Sequence, residues 1–381
     1  FQEAEKRLGG HTAMLNKIFI DNYKCLVNFE LNLAHLALFL GTNGSGKSTV
    51  FDVLHKLQSF VGGGRVSALF PDDTLTAWQM SNKQRSGLTL AVGDGVYRYD
   101  LEIEHRYRGR LCRVKRERLF CDDRLLFEME DEVVHLYHDD SSQGPEYPFD
   151  WSMSGLSALQ PRSDNKLLTC FKEWLAGVIV LRPVPALMTS ESAGEDGQLS
   201  LTADNFSSWY LYLSQEHQGK IFDLTTKLRT VLDGFHSFRL VKTGEEQRSL
   251  QVGFQQGDDG GKPFYFRFRD LSDGQRVLIL LYTLFFYVKE QSVCLCLDEP
   301  ENYLALPEIQ PWLMDCFDEA SSGPGQILFI SHHPEIINYL SEEYGFWFEK
   351  QANAPVRVKR IAQNGTGLSV SELVARGWLY E

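Results

Sequence analysis

The sequence lacks a long apolar run. Its longest candidate, Val277 to Val288, spans about twelve residues, whereas a membrane-spanning helix needs about 20. The first thirteen residues, Phe1 to Ala13, carry charges and lack the apolar stretch of a signal peptide, and Met14 resembles a natural start. The sequence therefore predicts no membrane association, and it predicts an unstructured leader over residues 1–13.

Cysteine is scarce, and its spacing excludes two kinds of structural site. The seven cysteines are scattered and include no CxxC pair. Structural zinc sites need such pairs, and disulfide frameworks need an oxidising compartment and an even number of cysteines. We therefore expect reduced thiols and a cytoplasmic protein.

Positive charge is also in short supply. The chain has 38 Lys and Arg against 51 Asp and Glu, a net charge of −13 and a pI near 5.3. Such a balance excludes general electrostatic attraction to nucleic acid, so a DNA contact requires a local patch. The one candidate is Arg106 to Arg118, where basic residues outnumber acids. This stretch has three possible roles: a hairpin that binds phosphates, a sheet edge protected by charge, or a surface for an acidic partner.

The composition is that of a folded protein of two or three domains, with 381 residues of which 43% are hydrophobic. Alternation of apolar and polar residues predicts antiparallel strands between residues 88 and 130, and a polar stretch with Gly and Pro predicts a loop over 139–148. Farther along the chain, apolar residues recur at helical spacing, and this pattern is interrupted near Gly219. We predict an α/β protein in which 14–155 and 236–381 are two parts of one domain, separated by a helical insertion over 156–235.

A nucleotide-binding loop follows the apolar strand Leu33 to Leu40. Gly41-x4-Gly46-Lys47-Ser48 matches the P-loop pattern at every fixed position and precedes a predicted helix. In such a loop the glycines let backbone N–H groups surround a phosphate, the lysine bridges the β and γ phosphates, and the serine hydroxyl ligates Mg²⁺. No NKxD motif is present, because Asn82-Lys83 is followed by Gln84, and this argues against a GTPase.

An acid pair ends a second apolar strand, Val293 to Leu297. Asp298 at this position can hold the water shell of Mg²⁺, and Glu299 can orient or deprotonate the attacking water. Acid pairs after strands also serve as helix caps, so this pair indicates a nucleotide site only in combination with the P-loop.

Two shorter motifs have both a structural and a functional interpretation. Ser272 with Gln275 forms a capping-box pattern, while Ser272 and the Gly274 amide can also face a γ-phosphate, which would be that of a second subunit. His332, at the end of the strand before Pro334, can sense a γ-phosphate or lie at the surface and cap a helix, and His333 adjoins it.

Taken together, the segments GTNGSGKST, LSDGQ, CLCLDEPEN and ISHHP resemble an ABC-type ATPase head, in particular the RecF/SMC-like and OLD-like AAA ATPases of DNA repair and anti-phage defence. The resemblance implies an ABC-type P-loop ATPase head with an antiparallel β-subdomain and an inserted helical region. It implies that ATP and Mg²⁺ are bound between two heads, and that Asn302 to Leu304 lie at the D-loop. The implied roles are Walker A for Asn43, Gly44, Ser45, Gly46, Lys47, Ser48 and Thr49, signature for Ser272, Gly274 and Gln275, metal site for Ser48 and Asp298, and catalysis for Lys47, Glu299 and His332.

The function implied is an ATP-hydrolysing switch that dimerises head-to-head, or forms a higher even-numbered oligomer, and controls an effector or DNA in anti-phage defence. A RecF-like repair ATPase acting directly on DNA is the alternative. Only 49 residues follow His332 and they hold no cluster of acids with metal-ligand spacing, so a nuclease is expected as a separate partner protein. A transporter subunit is disfavoured by the large insertions. The glutamine that contacts Mg²⁺ in such heads has no assigned counterpart among Gln58, Gln79 and Gln84.

Overall fold

The structure is a computed structural model that describes residues 13–93, 95–106, 111–244, 247–255, 262–350, 354–361 and 369–376. The strands are β1 (Ala13–Asp21), β2 (Phe29–Asn32), β3 (Leu36–Gly41), β4 (Lys83–Val92), β5 (Gly95–Arg106), β6 (Leu111–Cys121), β7 (Arg124–Glu130), β8 (Val133–Tyr137), β9 (Gln143–Pro148), β10 (Ile179–Leu181), β11 (Glu191–Ser192), β12 (Phe235–Lys242), β13 (Arg248–Phe254), β14 (Phe264–Arg267), β15 (Cys294–Asp298), β16 (Gln326–Ile330), β17 (Gly345–Glu349) and β18 (Arg357–Arg360). The helices are α1 (Lys47–Val61), α2 (Val66–Leu69), α3 (Lys166–Gly177), α4 (Phe206–Glu216), α5 (Gln218–Val231), α6 (Asp273–Val288), α7 (Leu306–Ser322), α8 (Pro334–Tyr344) and α9 (Val370–Arg376).

Two compact units share the chain. The first contains Phe1–Val178, Gln291–Cys296 and Pro324–Glu381, and the second contains Ile179–Glu290 and Leu297–Gly323. β1 begins at Ala13, the last residue of the predicted leader, and residues 1–12 lie outside the described part. The division into head and helical insertion made from the sequence stays a prediction.

An antiparallel sheet with the described strand order β2-β1-β4-β5-β6-β7-β8-β9 belongs to the first unit. Its strands alternate between a buried and a more exposed face, as β5 shows with Tyr97, Tyr99, Leu101 and Ile103 buried. The predicted loop at 139–148 is wrong in part, because β9 occupies Gln143–Pro148. Its Gly and two Pro residues concealed the strand, and they are tolerated because β9 ends the described sheet.

The strands of a second sheet that belong to the first unit follow the order β15-β16-β3-β17-β18, where β15 contributes residues Cys294–Cys296. β3 is parallel to both β16 and β17, and all six of its residues are buried, which explains its uninterrupted apolar sequence. The carboxyl ends of β3, β16 and β17 therefore meet at one edge of this sheet. Loops at such an edge are the usual place for ligand sites in α/β folds.

The buried carboxylate of Glu117 joins β6 to the loop before α3. Its Oε1 accepts hydrogen bonds from Tyr99 Oη at 2.8 Å and Ser154 Oγ at 2.6 Å, and its Oε2 accepts one from the Gly155 amide at 3.0 Å. Burial raises the pKa of Glu117 to about 7, against the lowering effect of these three donors. Lys172 Nζ donates to the Leu156 and Leu159 carbonyls at 2.6 Å each.

In the second unit, the helices α4 to α7 lie with a small sheet in which β13 pairs with β11, β12 and β14. The central helix α6 is buried over most of its length, and Trp312 of α7 donates its indole N–H to the Leu281 carbonyl at 3.1 Å. The interruption of the helix that the sequence predicts near Gly219 lies at His217, between α4 and α5. Among the described helices, none combines the length and the apolar character that crossing a membrane requires.

Candidate functional site

The P-loop connects β3 to α1 as the sequence predicts. Gly44 and Gly46 have φ values of 73° and 89°, in the left-handed region that glycine adopts without strain, and α1 begins at Lys47. Asn43 and Gly44 are exposed, whereas Ser48 and Thr49 in the first turn of α1 are half-buried. The loop therefore places backbone amides at a helix N-terminus, an arrangement that binds anions.

Two glycines of this loop leave no room for a side chain. A Cβ atom at Gly41 would lie 2.4 Å from the Phe348 carbonyl oxygen, and one at Gly46 would lie 2.6 Å from Cys25 Sγ. Both distances are shorter than any van der Waals contact. The loop is thus packed directly against β17 and against the turn that follows β1.

The polar groups of the P-loop fit a phosphate ligand. Lys47 is 5% exposed, and its Nζ donates to the carbonyls of Gly41 at 2.7 Å and Thr42 at 3.2 Å. Ser45 Oγ is buried and has no hydrogen-bond partner in the described part of the chain. A cationic amine held by two loop carbonyls and a buried unsatisfied hydroxyl are groups that a nucleotide phosphate would satisfy.

His332 and the P-loop follow neighbouring parallel strands, because Ile330 of β16 pairs with Phe39 of β3. The two histidines differ in role. His333 caps α8, its Nδ1 accepting the Glu335 amide at 3.3 Å, while His332 is exposed. The capping function therefore belongs to His333, which leaves His332 as the candidate phosphate sensor.

Sequence reasoning missed two other residues beside the P-loop. Lys350 directly follows β17, and its Nζ would lie 3.5 Å from a Cβ atom at Gly44. Cys25 lies against Gly46, and burial raises the pKa of its thiol, against a lowering effect of the Thr49 side chain. The position of Lys350 directly after a parallel strand is a signal that could have found it, because His332 likewise follows the end of the parallel strand β16.

Asp298 is the last residue of β15 and Glu299 follows it, and both belong to the second unit. Asp298 is buried and Glu299 half-buried, and Glu299 has φ of 49°, a left-handed conformation uncommon for glutamate. Asn302 Nδ2 donates to Glu299 Oε2 at 2.8 Å and so fixes the direction of this carboxylate. Strained residues concentrate at functional sites, where the surroundings maintain the unusual backbone.

The Asp298 carboxylate has a partner that the sequence did not reveal. Arg182 Nε donates to Asp298 Oδ2 at 2.7 Å, and Arg182 Nη2 donates to the same oxygen. Arg182 follows the apolar strand β10, so its position repeats the pattern of a polar residue after a buried strand. The other candidate site residues were predicted from that pattern, and Arg182 could have been predicted from it as well.

The predicted signature residues form the start of α6. Ser272 Oγ accepts the Gln275 amide at 3.2 Å, and Gln275 Oε1 accepts the Ser272 amide at 3.1 Å, so the capping box is formed. A Cβ atom at Gly274 would lie 2.8 Å from the Tyr303 carbonyl oxygen. Gly274 therefore lets the Asn302 to Leu304 segment approach the helix N-terminus closely.

Two of the three glutamines considered for the Mg²⁺ contact have structural roles. Gln58 Nε2 donates to the carbonyls of Leu175, Ala176 and Val178. Gln84 is buried and donates to the Asn22 carbonyl. Gln79 Nε2 donates to Asp21 Oδ1 at 3.1 Å.

The basic strand β6 is neutralised by acids. Arg113 pairs with Glu104 at 2.8 Å, Lys115 with Asp131, Arg116 with Glu130, and Arg118 with Glu128 at 2.6 Å. Residues 107–110 lie outside the described part. These ion pairs favour the interpretation of β6 as a charged sheet surface over that of a phosphate-binding hairpin.

Two protein-family models match the sequence. One, described as "AAA ATPase domain", matches residues 14–79 and includes the P-loop. The other, described as "AAA domain, putative AbiEii toxin, Type IV TA system", matches residues 183–338 and includes the signature, the acid pair and His332. No curated protein matches the sequence significantly.

The solved structures similar to this chain include heads of SMC proteins. An Smc head bound to the C-winged helix domain of ScpA is 12% identical with a TM-score of 0.53, covering 94% of this chain and 99% of that chain. An Smc head with an extended coiled coil, bound to the C-terminal domain of ScpA derived from Pyrococcus furiosus, is 11% identical with a TM-score of 0.52, covering 96% and 98%. The predicted fold class, an ABC-type ATPase head, is confirmed. The two family matches and the fold together make the chain similar to ABC/SMC-like AAA ATPases.

Proposed function

We propose that the protein binds ATP with Mg²⁺ and hydrolyses it as a switch. The observation that carries the proposal is the P-loop, in which left-handed glycines, the buried Lys47 and the unsatisfied Ser45 hydroxyl surround a helix N-terminus. When bound, Mg²⁺ neutralises the phosphate charge, and Ser48 and Asp298 would hold it. Lys47 would bind the phosphates, and Glu299 would activate water, its direction set by Asn302.

We further propose that two heads pair around two nucleotides, with Ser272, Gly274 and Gln275 of each head serving the nucleotide of the other. The exposed His332 would sense the γ-phosphate. The capping box uses Ser272 Oγ as an acceptor, which leaves its hydroxyl hydrogen available for donation to a phosphate. Assembly by ATP and release after hydrolysis would give the switch its two states.

Nucleotide binding by purified protein tests the first part. Lys47→Ala should lose ATP affinity at least tenfold, because one charge-assisted contact to phosphate is worth about 1.4 kcal/mol or more. Lys17→Ala is the control, since Lys17 forms a surface ion pair with Glu30. Equal ATP affinity of the Lys47 variant and the wild type would contradict the assignment.

The oligomeric state with ATP tests the second part. Glu299→Gln should bind ATP, hydrolyse it at least a hundredfold more slowly and accumulate as a pair in size-exclusion chromatography. The exposed Glu216, in the same unit, provides the control Glu216→Gln. Wild-type turnover by the Glu299 variant would exclude Glu299 as the catalytic base.

As the biological role, we propose control of a separate effector protein, such as a nuclease, in anti-phage defence. The toxin named in one family description and the ScpA bound by the similar SMC heads support a protein partner. The ion pairs of β6 disfavour the alternative, a repair ATPase that contacts DNA through Arg106–Arg118. If duplex DNA binds and Arg113/Lys115/Arg116→Glu abolishes that binding, the alternative gains support.

A further inference from the structure

The pair between Arg182 and Asp298 is unequal in exposure. The Asp298 side chain is 5% exposed, whereas the Arg182 side chain is 53% exposed. Two guanidinium nitrogens of Arg182, Nε and Nη2, donate to one oxygen of the carboxylate, Oδ2. Hydrogen bonds from a charged group stabilise a buried carboxylate, and here the charged group belongs to a side chain that is half exposed.

The backbone holds Arg182 in this position. The Arg182 amide donates to the Leu201 carbonyl at 2.7 Å, and Pro183 restricts the backbone of Arg182, which precedes it. Three residues after Arg182, the Pro185 carbonyl accepts a hydrogen bond from Arg276 Nη1. The segment from Arg182 to Pro185 is therefore fixed at both ends, while the Arg182 side chain is half exposed.

A second arginine of the same unit shows that the exposure of Arg182 is not required for pairing. Arg276 is 8% exposed, and it binds both the Pro185 carbonyl and Asp273. Moving Arg276 would leave buried groups unsatisfied, which is costly. Arg182 can turn away into water at little cost, provided that another cation neutralises Asp298.

We propose that Arg182 is a positioning residue that acts as the built-in counter-ion of Asp298 and competes with Mg²⁺ for this carboxylate. The inference rests on the proposed function, in which Asp298 serves the nucleotide-bound Mg²⁺. A guanidinium and a hydrated Mg²⁺ ion are alternative partners of one carboxylate, because both place positive charge against the same oxygen. Arg182 thereby orients the Asp298 carboxylate, and it raises the Mg²⁺ concentration at which ATP binds.

The test is the Mg²⁺ dependence of ATP binding, measured by equilibrium titration with a fluorescent ATP analogue. Arg182→Ala should lower the half-saturating Mg²⁺ concentration about fivefold, which corresponds to about 1 kcal/mol for a half-exposed ion pair. Arg182→Lys retains the charge without the two-nitrogen contact and should lower it by a smaller factor. Arg162→Ala, which removes an exposed pair with Asp164 in the first unit, should leave it unchanged.

Thermal unfolding without nucleotide provides a second readout. Arg182→Ala should lower the melting temperature in EDTA because the buried Asp298 carboxylate loses the two hydrogen bonds from the Arg182 guanidinium, and Mg²⁺ with ATP should reduce this difference. In an Asp298→Asn background, the same Arg182→Ala change should have no effect on the melting temperature.

The outcomes separate the inference from the proposed function. If wild type and Arg182→Ala bind ATP with the same Mg²⁺ dependence, the competition is excluded while ATP binding stands. If Arg182→Ala is folded but loses ATP binding even at saturating Mg²⁺, Arg182 is a nucleotide ligand and the inference is wrong. If the wild type itself binds no ATP, the proposed function fails.

Discussion

Two buried carboxylates of this protein are held in opposite ways. Glu117, in the first unit, accepts hydrogen bonds from the neutral groups of Tyr99, Ser154 and Gly155. Asp298, in the second unit, is bound by the guanidinium of Arg182, which is half exposed. Fixed neutral donors tie Glu117 to the fold, whereas a cation at the solvent side can be exchanged for another. The difference separates a structural carboxylate from one suited to binding a metal ion.

The largest effect on stability is expected from Glu117→Ala. This change leaves the hydroxyls of Tyr99 and Ser154 and the Gly155 amide buried without their acceptor, and we expect a loss of about 4 kcal/mol in the free energy of unfolding. Denaturant unfolding measures it. Glu130→Ala, which removes a partly exposed partner of Arg116, should cost less than about 1 kcal/mol. Similar losses for both variants would contradict the structural role of Glu117.

The next effect is a pH dependence that Glu117 confers. Its pKa is about 7 in the folded protein against an ordinary value of 4.5, so between these values the folded state holds a proton that the unfolded state has released. Stability therefore falls as the pH rises through this window, by about 3 kcal/mol in total at roughly 1.4 kcal/mol per pH unit. Because glutamine does not titrate, wild type should lose stability relative to Glu117→Gln as the pH rises from 5 to about 7. Parallel stability curves of the two proteins would refute the raised pKa.

Asp298→Ala should affect stability much less than Glu117→Ala. The guanidinium of Arg182 returns to water, and the expected change in the free energy of unfolding is about 1 kcal/mol or less. ATP binding should at the same time lose its dependence on Mg²⁺, which a titration in EDTA and in Mg²⁺ would show. A loss as large as that of Glu117→Ala would mean that Asp298 is a structural residue as well.

The elements that the sequence predicted are those with a strong local pattern. β3 is a continuous apolar run, and β16 is apolar after its first residue, Gln326. The P-loop is recognisable by its glycines, which adopt positive φ values. β9 was missed because its Gly and Pro residues indicate a turn, and only its place at the end of the described sheet permits a strand there.

Contacts between distant residues could not be predicted in the same way. Arg182 meets Asp298 across more than a hundred residues of chain, and Glu117 meets Ser154 across 37. The acids that neutralise β6 are visible in the sequence, but only the register of β6 against β5 and β7 places Glu104, Glu128 and Glu130 opposite the arginines. A pattern within one segment contains no information about such register.

The smallest effect is expected from Arg116→Ala, and it tests how the exposure of an ion pair sets its role. Arg116 and Glu130 are 39% and 34% exposed, so both charges remain hydrated when either partner is removed. We expect a loss of at most about 0.5 kcal/mol in the free energy of unfolding, further reduced by added salt. Arg182→Ala should cost about twice as much, since it removes the guanidinium that binds the buried Asp298 carboxylate. Denaturant unfolding of the two variants at low and high salt measures the difference. Equal costs would show that the burial of Asp298 does not distinguish its ion pair from an ordinary surface pair.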